Sequence, residues 1–355
     1  MDELETLVRL NLSGMVGSSL LRRLREQFEL TRIPRLSRRE LERVPGIGPL
    51  TSKAIVEAGD PRREIDLAAR HGIEILPSTG ADYPPALRTL YDHPIVLYRR
   101  GKTVDADALS VGIVGARECT DYGRRQAARF GQELARLRIT VVSGLARGTD
   151  TAAHRGALQA PEGRTVAFLG SGLLRVYPPE NAKLLDAICA RGAAFSEFPL
   201  ESAPETANFP RRNRLISGLS LGVLVVEAAE RSGALITADW ALEQGRDVFC
   251  LPGSIESPMS RGCHRLIKQG AKLVEEPADI LEEIPAFASL VEPAVALTPL
   301  ERAVARRLAT RPCSVESLAA TTRLPLTSVE RALEQLVAKG VALRKEPDGY
   351  LTAGR

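Results

Sequence analysis

The sequence predicts an α/β protein with a doubly wound parallel sheet, preceded by one helical domain and followed by another. Three observations predict it. Six near-continuous apolar, β-rich runs lie between about Leu97 and Ile284, separated by helix-length segments. The first 75 residues carry a glycine-punctuated helical pattern instead. Beyond a Pro- and Ala-rich stretch, two segments open with Thr-x-x-Glu, the signature of a capped helix start.

Within residues 1–75, "LSRRELERVPGIGPLTSKAIVEA" has Ser37 and Glu40 as a capping box, then Pro45-Gly46-Ile47-Gly48, then a second apolar helix. This is a helix-hairpin-helix (SAM-like) pattern. Its glycines let the turn approach a phosphate, and the following helix offers its N-terminal amides. A looser copy, "LSGMVGSSLLRRLREQF", precedes it. Two such hairpins are equally compatible with a DNA-binding module, which Lys53 favours, and with a plain helical core.

In residues 76–284 the strands read "VGIVGA", "TVVSG", "TVAFLG", "AAFSEF", "LGVLVVEAA" and "DVFCLPG". Helices are expected over 121–137, 151–159, 181–191 and 237–243. Strands that are apolar throughout belong to a parallel sheet covered on both faces, hence a Rossmann-like domain with its ligands at the carboxyl ends of the strands. Residues 285–297, in "IPAFASLVEPAVALTP", form a linker. Over 298–355, Thr298 with Glu301 and Thr327 with Glu330 open helices, "SVESLAATT" lies between them, and "VALRKEPDGYLTA" turns at Pro347-Asp348-Gly349. Three helices and a two-stranded wing make a winged helix. Glu330 and Glu334 on its third helix oppose DNA-groove binding, so a protein-interaction or structural role ranks first there.

Composition sets limits on function. With 355 residues, 44% hydrophobic and 26% charged, the chain is long enough for two or three globular domains and is not disordered. The acidic start MDELETL and the lack of a long apolar run point to the cytoplasm and to no membrane partner. Cys119, Cys189, Cys250, Cys263 and Cys313 form no Cys-x-x-Cys pair and share no ligand spacing with the histidines, so neither a metal nor a disulfide framework is expected. The net charge of +4 permits a nucleic-acid partner without requiring one. Only seven lysines occur, so the positive charge is nearly all arginine, whose planar fork suits phosphate.

The loops after the strands hold the candidate binding residues. The first, Gly112-Ile113-Val114-Gly115-Ala116-Arg117, lacks the third glycine of a dinucleotide fingerprint, and no acidic residue ends the second strand, which disfavours NAD. The second loop offers Ser143, Gly144, Arg147 and Gly148, small residues and an arginine leading into a helix. Tight strand-to-helix packing also explains Ser143 and Gly144. "LGSGLLRVYPPEN" follows the third strand; Ser232, Gly233 and Thr237 follow the fifth; Gly253, Gly262 and His264 follow the last. Convergence of these loops favours a phosphate-bearing ligand, and with an ordinary NAD site disfavoured no cofactor is expected. No histidine or cysteine is paired with a base, His264 being equally a core residue, and Glu197 and Glu227 read as loop or arginine partners. No catalytic residue is therefore assigned.

In "NFPRRNRLIS", a helix starting near Pro210 aligns Arg212 with Leu215, Ile216 and Leu219, so Arg212 needs a partner: Glu227 or a ligand phosphate. Arg211 and Arg214 fall together on another side, Arg214 as an outer contact and Arg211 as solvated charge. Phe209 is a candidate for base stacking or for a staple at the helix entry.

Five ordered segments, "SGLARGTDTAAH", "GSGLLRVYPPEN", "FPRRNRLISGLS", "VVEAAERSGALITADWALEQGRDVFCLPG" and "SRGCHRLIKQGA", resemble the DNA-processing protein A (DprA/Smf) family in its three-domain form. The resemblance implies a dimeric, cytoplasmic, single-stranded DNA-binding protein. It would protect incoming strands in natural transformation and help load the RecA recombinase, without catalysis. It places the family's Gly-Ser/Ala-Arg loop on Gly115, Ala116 and Arg117, and its Phe-Pro-x-Arg-Asn-Arg motif on Phe209, Pro210, Arg212, Asn213 and Arg214. Leu174 departs from the family, where many members carry an acid. The homodimer is expected through the Rossmann-like domain, and double-stranded DNA stays open as a partner. A rival class is a nucleotide phosphoribohydrolase acting on nucleoside monophosphates, whose Pro-Gly-Gly-x-Gly-Thr-x-x-Glu signature finds only "LPGSIES" here.

Overall fold

The structure is a computed structural model that describes residues 1–287, 297–308, 312–339, 341–345 and 349–352. The chain divides into two compact units, Met1–Ala288 and Ser289–Arg355.

The first unit begins with α1 (Glu3–Leu12), α2 (Ser18–Gln27), α3 (Arg38–Leu41), α4 (Pro49–Val56) and α5 (Pro61–Arg70). The Ser37–Glu40 capping box forms, with both reciprocal hydrogen bonds present, and starts α3. Gly46 then turns the chain at φ +90°, a conformation open to glycine, and Gly48 caps α4 without a side-chain bond.

The sheet follows: β1 (Glu74–Pro77), α6 (Pro85–Arg88), β2 (Val96–Gly101), β3 (Ser110–Val114), α7 (Asp121–Arg136), β4 (Thr140–Ser143), α8 (Thr149–Gln159), β5 (Thr165–Phe168), α9 (Ala182–Arg191), β6 (Ala193–Ser196), α10 (Asn208–Leu219), β7 (Gly222–Val225), α11 (Gly233–Glu243), β8 (Asp247–Cys250), α12 (Arg261–Lys268), β9 (Lys272–Leu273) and α13 (Pro277–Glu283). The nine strands lie in the order β1-β2-β6-β5-β4-β3-β7-β8-β9. From β6 to β9 every pairing is parallel, with Val111 opposite both Val141 and Gly222. All six runs read as strands are strands, and each is buried but for Asp247 at the start of β8. The all-parallel expectation is corrected at one end, where β2 pairs antiparallel with β6, and β1 with β2.

α10 and α11 cover one sheet face through Leu215, Ile216, Leu219, Leu235 and Ala238, packed on Val114, Phe168 and Val225. A second core joins Leu7, Leu10, Leu24, Leu41 and Ile55 of the N-terminal helices to Ile95, Tyr98, Leu169 and Leu200. That core crosses the boundary expected at residue 75. Asn11 Nδ2 donates to Glu197 O at 3.2 Å and Ser18 Oγ to Tyr91 O at 3.0 Å, which ties the first hairpin down near the β6 end of the sheet. No helix among the described residues is long and apolar enough to cross a membrane.

In the second unit, α14 (Pro299–Ala305), α15 (Val315–Thr322) and α16 (Leu326–Ala338) precede a ribbon of β10 (Ala342–Lys345) and β11 (Gly349–Thr352). Thr298 and Glu301 form their capping box. Thr327 and Glu330 do not: Pro325, with φ −58°, occupies the cap position, so α16 begins one residue before Thr327, which lies within its first turn. Residues 288–296 of the expected linker, and Pro347 and Asp348 of the closing turn, lie outside the described residues.

Candidate nucleic-acid interface

The chain runs from β3 outward through β4, β5 and β6, then returns to place β7 on the other side of β3. In doubly wound sheets ligands gather in the crevice at such a reversal, outside the carboxyl ends of the strands. A cleft of about 510 Å³ opens there, lined by Gly115, Ala116 and Arg117 on one side and by Ser232, Gly233 and Thr237 on the other, with Phe209, Arg212 and Asn213 from α10.

The first loop is held rigidly. Ala116 N donates to Glu227 O at 2.8 Å, and Thr149 N donates to Ala116 O at 3.2 Å. A Cβ on Gly115 would stand 2.5 Å from Thr149 Oγ1. Gly148, at φ +72°, caps α8, and a side chain there would collide with the carbonyls of Ala116 and Arg117. Packing thus fixes the backbone and leaves Arg117 exposed, with no carboxylate partner among the described residues.

The second loop differs from expectation, because its amides are not bare. Asp150 accepts from Gly144 N at 3.1 Å and from Ala146 N at 3.3 Å, filling within the chain the place an anion would take. Burial raises its pKa, and the nearby Arg212 charge counters the shift. Ser143 Oγ donates to Ile113 O at 2.6 Å and so ties β4 to β3. Arg147 projects outward and is held by Glu180, Nε to Oε1 at 2.5 Å.

The three arginines of α10 separate clearly. Arg212 is 3% exposed and donates to Gly144 O at 2.5 Å and to Phe168 O, joining the ends of β4 and β5. Its partner is not Glu227, which instead accepts from Thr120 N at 2.8 Å and Thr120 Oγ1 at 2.6 Å at the start of α7. Burial pulls the Arg212 pKa down to about 10, Asp150 opposing, so the group stays charged at neutral pH. Arg214 is the larger correction: it is buried, not an outer contact. Its fork meets both Glu197 oxygens at 3.0 and 2.9 Å, and Nε meets Asp92 at 2.7 Å. Burial alone would lower its pKa, but Glu197 and Asp92 outweigh burial and raise it. Arg211 is half-exposed, 3.2 Å from Glu197 and over the Phe198 ring. Asn213 Nδ2 donates to Gly233 O at 3.3 Å and so links α10 to the opposite wall.

Phe209 packs on Gly170, where a Cβ would meet the ring at 2.7 Å. Arg117 lies 4.9 Å over that ring, Tyr177 stands 5.7 Å away on another side, and Arg147 lies 5.8 Å over Tyr177. Two neighbouring rings flanked by guanidinium groups therefore run Arg147, Tyr177, Phe209, Arg117, drawn from the loops after β4, β5 and β3 and from the start of α10. Tyr177, Glu180 and Asp150 were missed in the sequence. Tyr177 was legible as one of only six tyrosines, two residues after an arginine in a glycine-rich loop. Asp150 was legible as an acid in the first turn of a helix that follows a glycine.

Ser232 Oγ accepts from Ala234 N as the cap of α11, Gly233 is unobstructed, and Thr237 is buried. Gly253 lies outside the cleft, in a neighbouring recess with Thr120, Glu227 and Ser260. Gly262 donates its amide to Ala228 O at 2.8 Å and leaves no room for a Cβ, while His264 Nε2 lies 3.1 Å from Gly253 O; both brace the last loop. Leu174 donates its amide to Leu200 O at 3.0 Å and packs on the core.

An arginine-lined cleft at the switch point of such a sheet defines a doubly wound α/β protein with an open strand-end site suited to a phosphate-bearing ligand. Residues 74–285 match the family model described as DNA recombination-mediator protein A, and the chain belongs to that family. Over 211 residues it is 49% identical to the protein Smf of Escherichia coli, covering 59% of this chain and 56% of that protein. The crystal structure of DNA processing protein A from Streptococcus pneumoniae superposes with a TM-score of 0.69 at 34% identity, over 80% of this chain and 98% of that one. A structure described as giving insight into the single-stranded DNA binding mode of the Helicobacter pylori protein has a TM-score of 0.54 at 29% identity, over 59% of this chain and 94% of that one.

Proposed function

We propose that this chain is a single-stranded DNA-binding recombination mediator that protects incoming strands in natural transformation and helps load the RecA recombinase. The observation that carries this reading is the row Arg147, Tyr177, Phe209, Arg117 beside the switch-point cleft. Aromatic faces flanked by guanidinium groups are what a single strand needs, stacking surfaces beside phosphate contacts, without sequence preference. Arg117 is the free end of the row, and Arg212, anchored beneath it, adds fixed positive charge to the cleft floor.

The chain acts on this reading by binding and not by catalysis. It forms a homodimer through the sheet unit, for which the short edge strand β9 and its exposed Leu273 supply an unpaired edge. The second unit, with Glu330 and Glu334 exposed on α16, meets protein before it meets DNA.

Anisotropy of a labelled oligothymidine across a salt series tests the reading. The logarithm of the binding constant should fall with the logarithm of salt, and Arg117→Ala should reduce that slope by about 0.7, one phosphate contact. A flat salt response, or free base released from nucleoside monophosphates, would refute it.

A further inference from the structure

Away from the cleft, positive charge is concentrated between α2 of the first hairpin and the glycine turn of the second. Between Ser18 and Pro49 there are eight arginines and four glutamates, a surplus equal to the +4 of the whole protein. Two of those glutamates are occupied within the fold: Glu40 closes the capping box on Ser37, and Glu42 accepts from Ser52 Oγ at 2.7 Å. All eight arginines are exposed, and none forms an ion pair among the described residues.

Four of them reach the hairpin from separate places in the chain. Arg23 of α2 donates to Pro45 O at 3.1 Å, and Arg38 of α3 donates to Pro49 O at 3.2 Å. Hydrogen bonds from Ser37 hold the Glu40 carboxyl below its usual range, and the charges of Arg32 and Arg43 stand near enough to add to this. A guanidinium has five donors, so each of these arginines keeps several free. Arg22, Arg25, Arg35 and Arg39 lie exposed on the same short elements.

We propose that this arginine collar around the Gly46–Gly48 turn is a second binding surface, taking the sugar-phosphate backbone of a long single strand whose other part lies in the strand-end cleft. The glycine turn gives the backbone a low profile, and arginine forks match phosphate oxygens in pairs. A protein partner fits less well. Protein interface centres are depleted of charge and rich in aromatic residues, whereas here the exposed large apolar side chains are Met15, Leu50 and Val56, none of them aromatic. The N-terminal helices are also anchored beside the β6 end of the sheet by Asn11 and Ser18, so a strand passing Arg147 toward β6 runs toward them.

The test uses the full chain and two oligothymidines, one of about six bases and one of about forty, each titrated across a salt series. Arg32→Ala with Arg43→Ala leaves the pins made by Arg23 and Arg38 in place. The double variant should bind the short strand as the native chain does. It should bind the long one several-fold more weakly, with a salt slope lower by about 1.4, two contacts of about 0.7 each. Equal affinities for the long strand, or an equal loss on both lengths, would overturn the proposal, as would polyglutamate displacing the long strand at lower concentration than unlabelled oligothymidine does. Failure of the cleft reading is a different result: the short strand would not bind the native chain at all.

Discussion

Replacing Arg214 with alanine separates arginines that hold the fold from arginines free to hold phosphate. Arg214 and Glu197 are respectively 3% and 1% exposed at their side chains, and Asp92 completes the set. Removing one partner of a buried ion pair costs about 3–5 kcal/mol, because the other charge is left without compensation. Here Arg211 still reaches Glu197 at 3.2 Å from a half-exposed position, which puts the expected loss near the lower end, about 3 kcal/mol. For a unit of this size that is a fall in Tm of roughly 5 °C. Arg211→Ala, which leaves Arg214 paired, should cost under about 1 kcal/mol. Differential scanning calorimetry and oligothymidine titrations on Arg117→Ala, Arg211→Ala and Arg214→Ala give both readouts. Arg117→Ala should melt like the native chain and lose about 0.7 from its salt slope, while Arg214→Ala should melt early with its slope unchanged. An Arg214→Ala chain with native Tm and a reduced slope would refute the assignment of this arginine to the fold.

Two further outcomes follow from neighbouring contacts. Glu180→Gln frees Arg147 from its exposed pair and should raise oligonucleotide affinity about threefold at low salt, whereas Tyr177→Ala should weaken it; weaker binding by Glu180→Gln would contradict the competition between Glu180 and phosphate. His154 is fully buried beside Thr165 Oγ1, and burial pulls its imidazole down to about 3. The unfolded chain takes up this proton below about 6.5 and the folded chain does not, so stability is lost as pH falls from 6.5 toward 3, by about 3 kcal/mol at pH 4. Asp150, raised by burial, acts in the opposite direction in both chains, so urea midpoints of His154→Leu against the native chain isolate the histidine. Identical acid slopes would remove it as the cause.

The six parallel strands were legible because each is buried on both faces and therefore reads as an unbroken apolar run. β1, β2 and β9 were not. β9 has two residues, β1 has four with Pro77 at its end, and antiparallel pairing of β2 with β6 leaves no mark in either run. The helical phase of α10 correctly put Arg212 with the apolar face. That phase cannot say what lies opposite Arg214, whose partner Asp92 is 122 residues away. For the same reason Glu227 was a reasonable partner for Arg212 in one dimension, although carbonyl oxygens of two strand ends satisfy it in three. Arg117 and Ser232 were legible as loop residues after strands and Phe209 as a residue at a helix entry, but the ring row was not, since it forms only when three separate loops meet the start of α10.

The spacing of the sheet also acts as a ruler. The loops that bear the ring row and the cleft walls follow β5, β4, β3 and β7, four neighbouring strands and three gaps of about 4.8 Å, a shelf of about 14 Å. A shelf that short touches only a few nucleotides at once, whatever the length of the strand. Coverage of a long molecule then becomes a question of stoichiometry, with the number of copies rising in proportion to the length to be shielded.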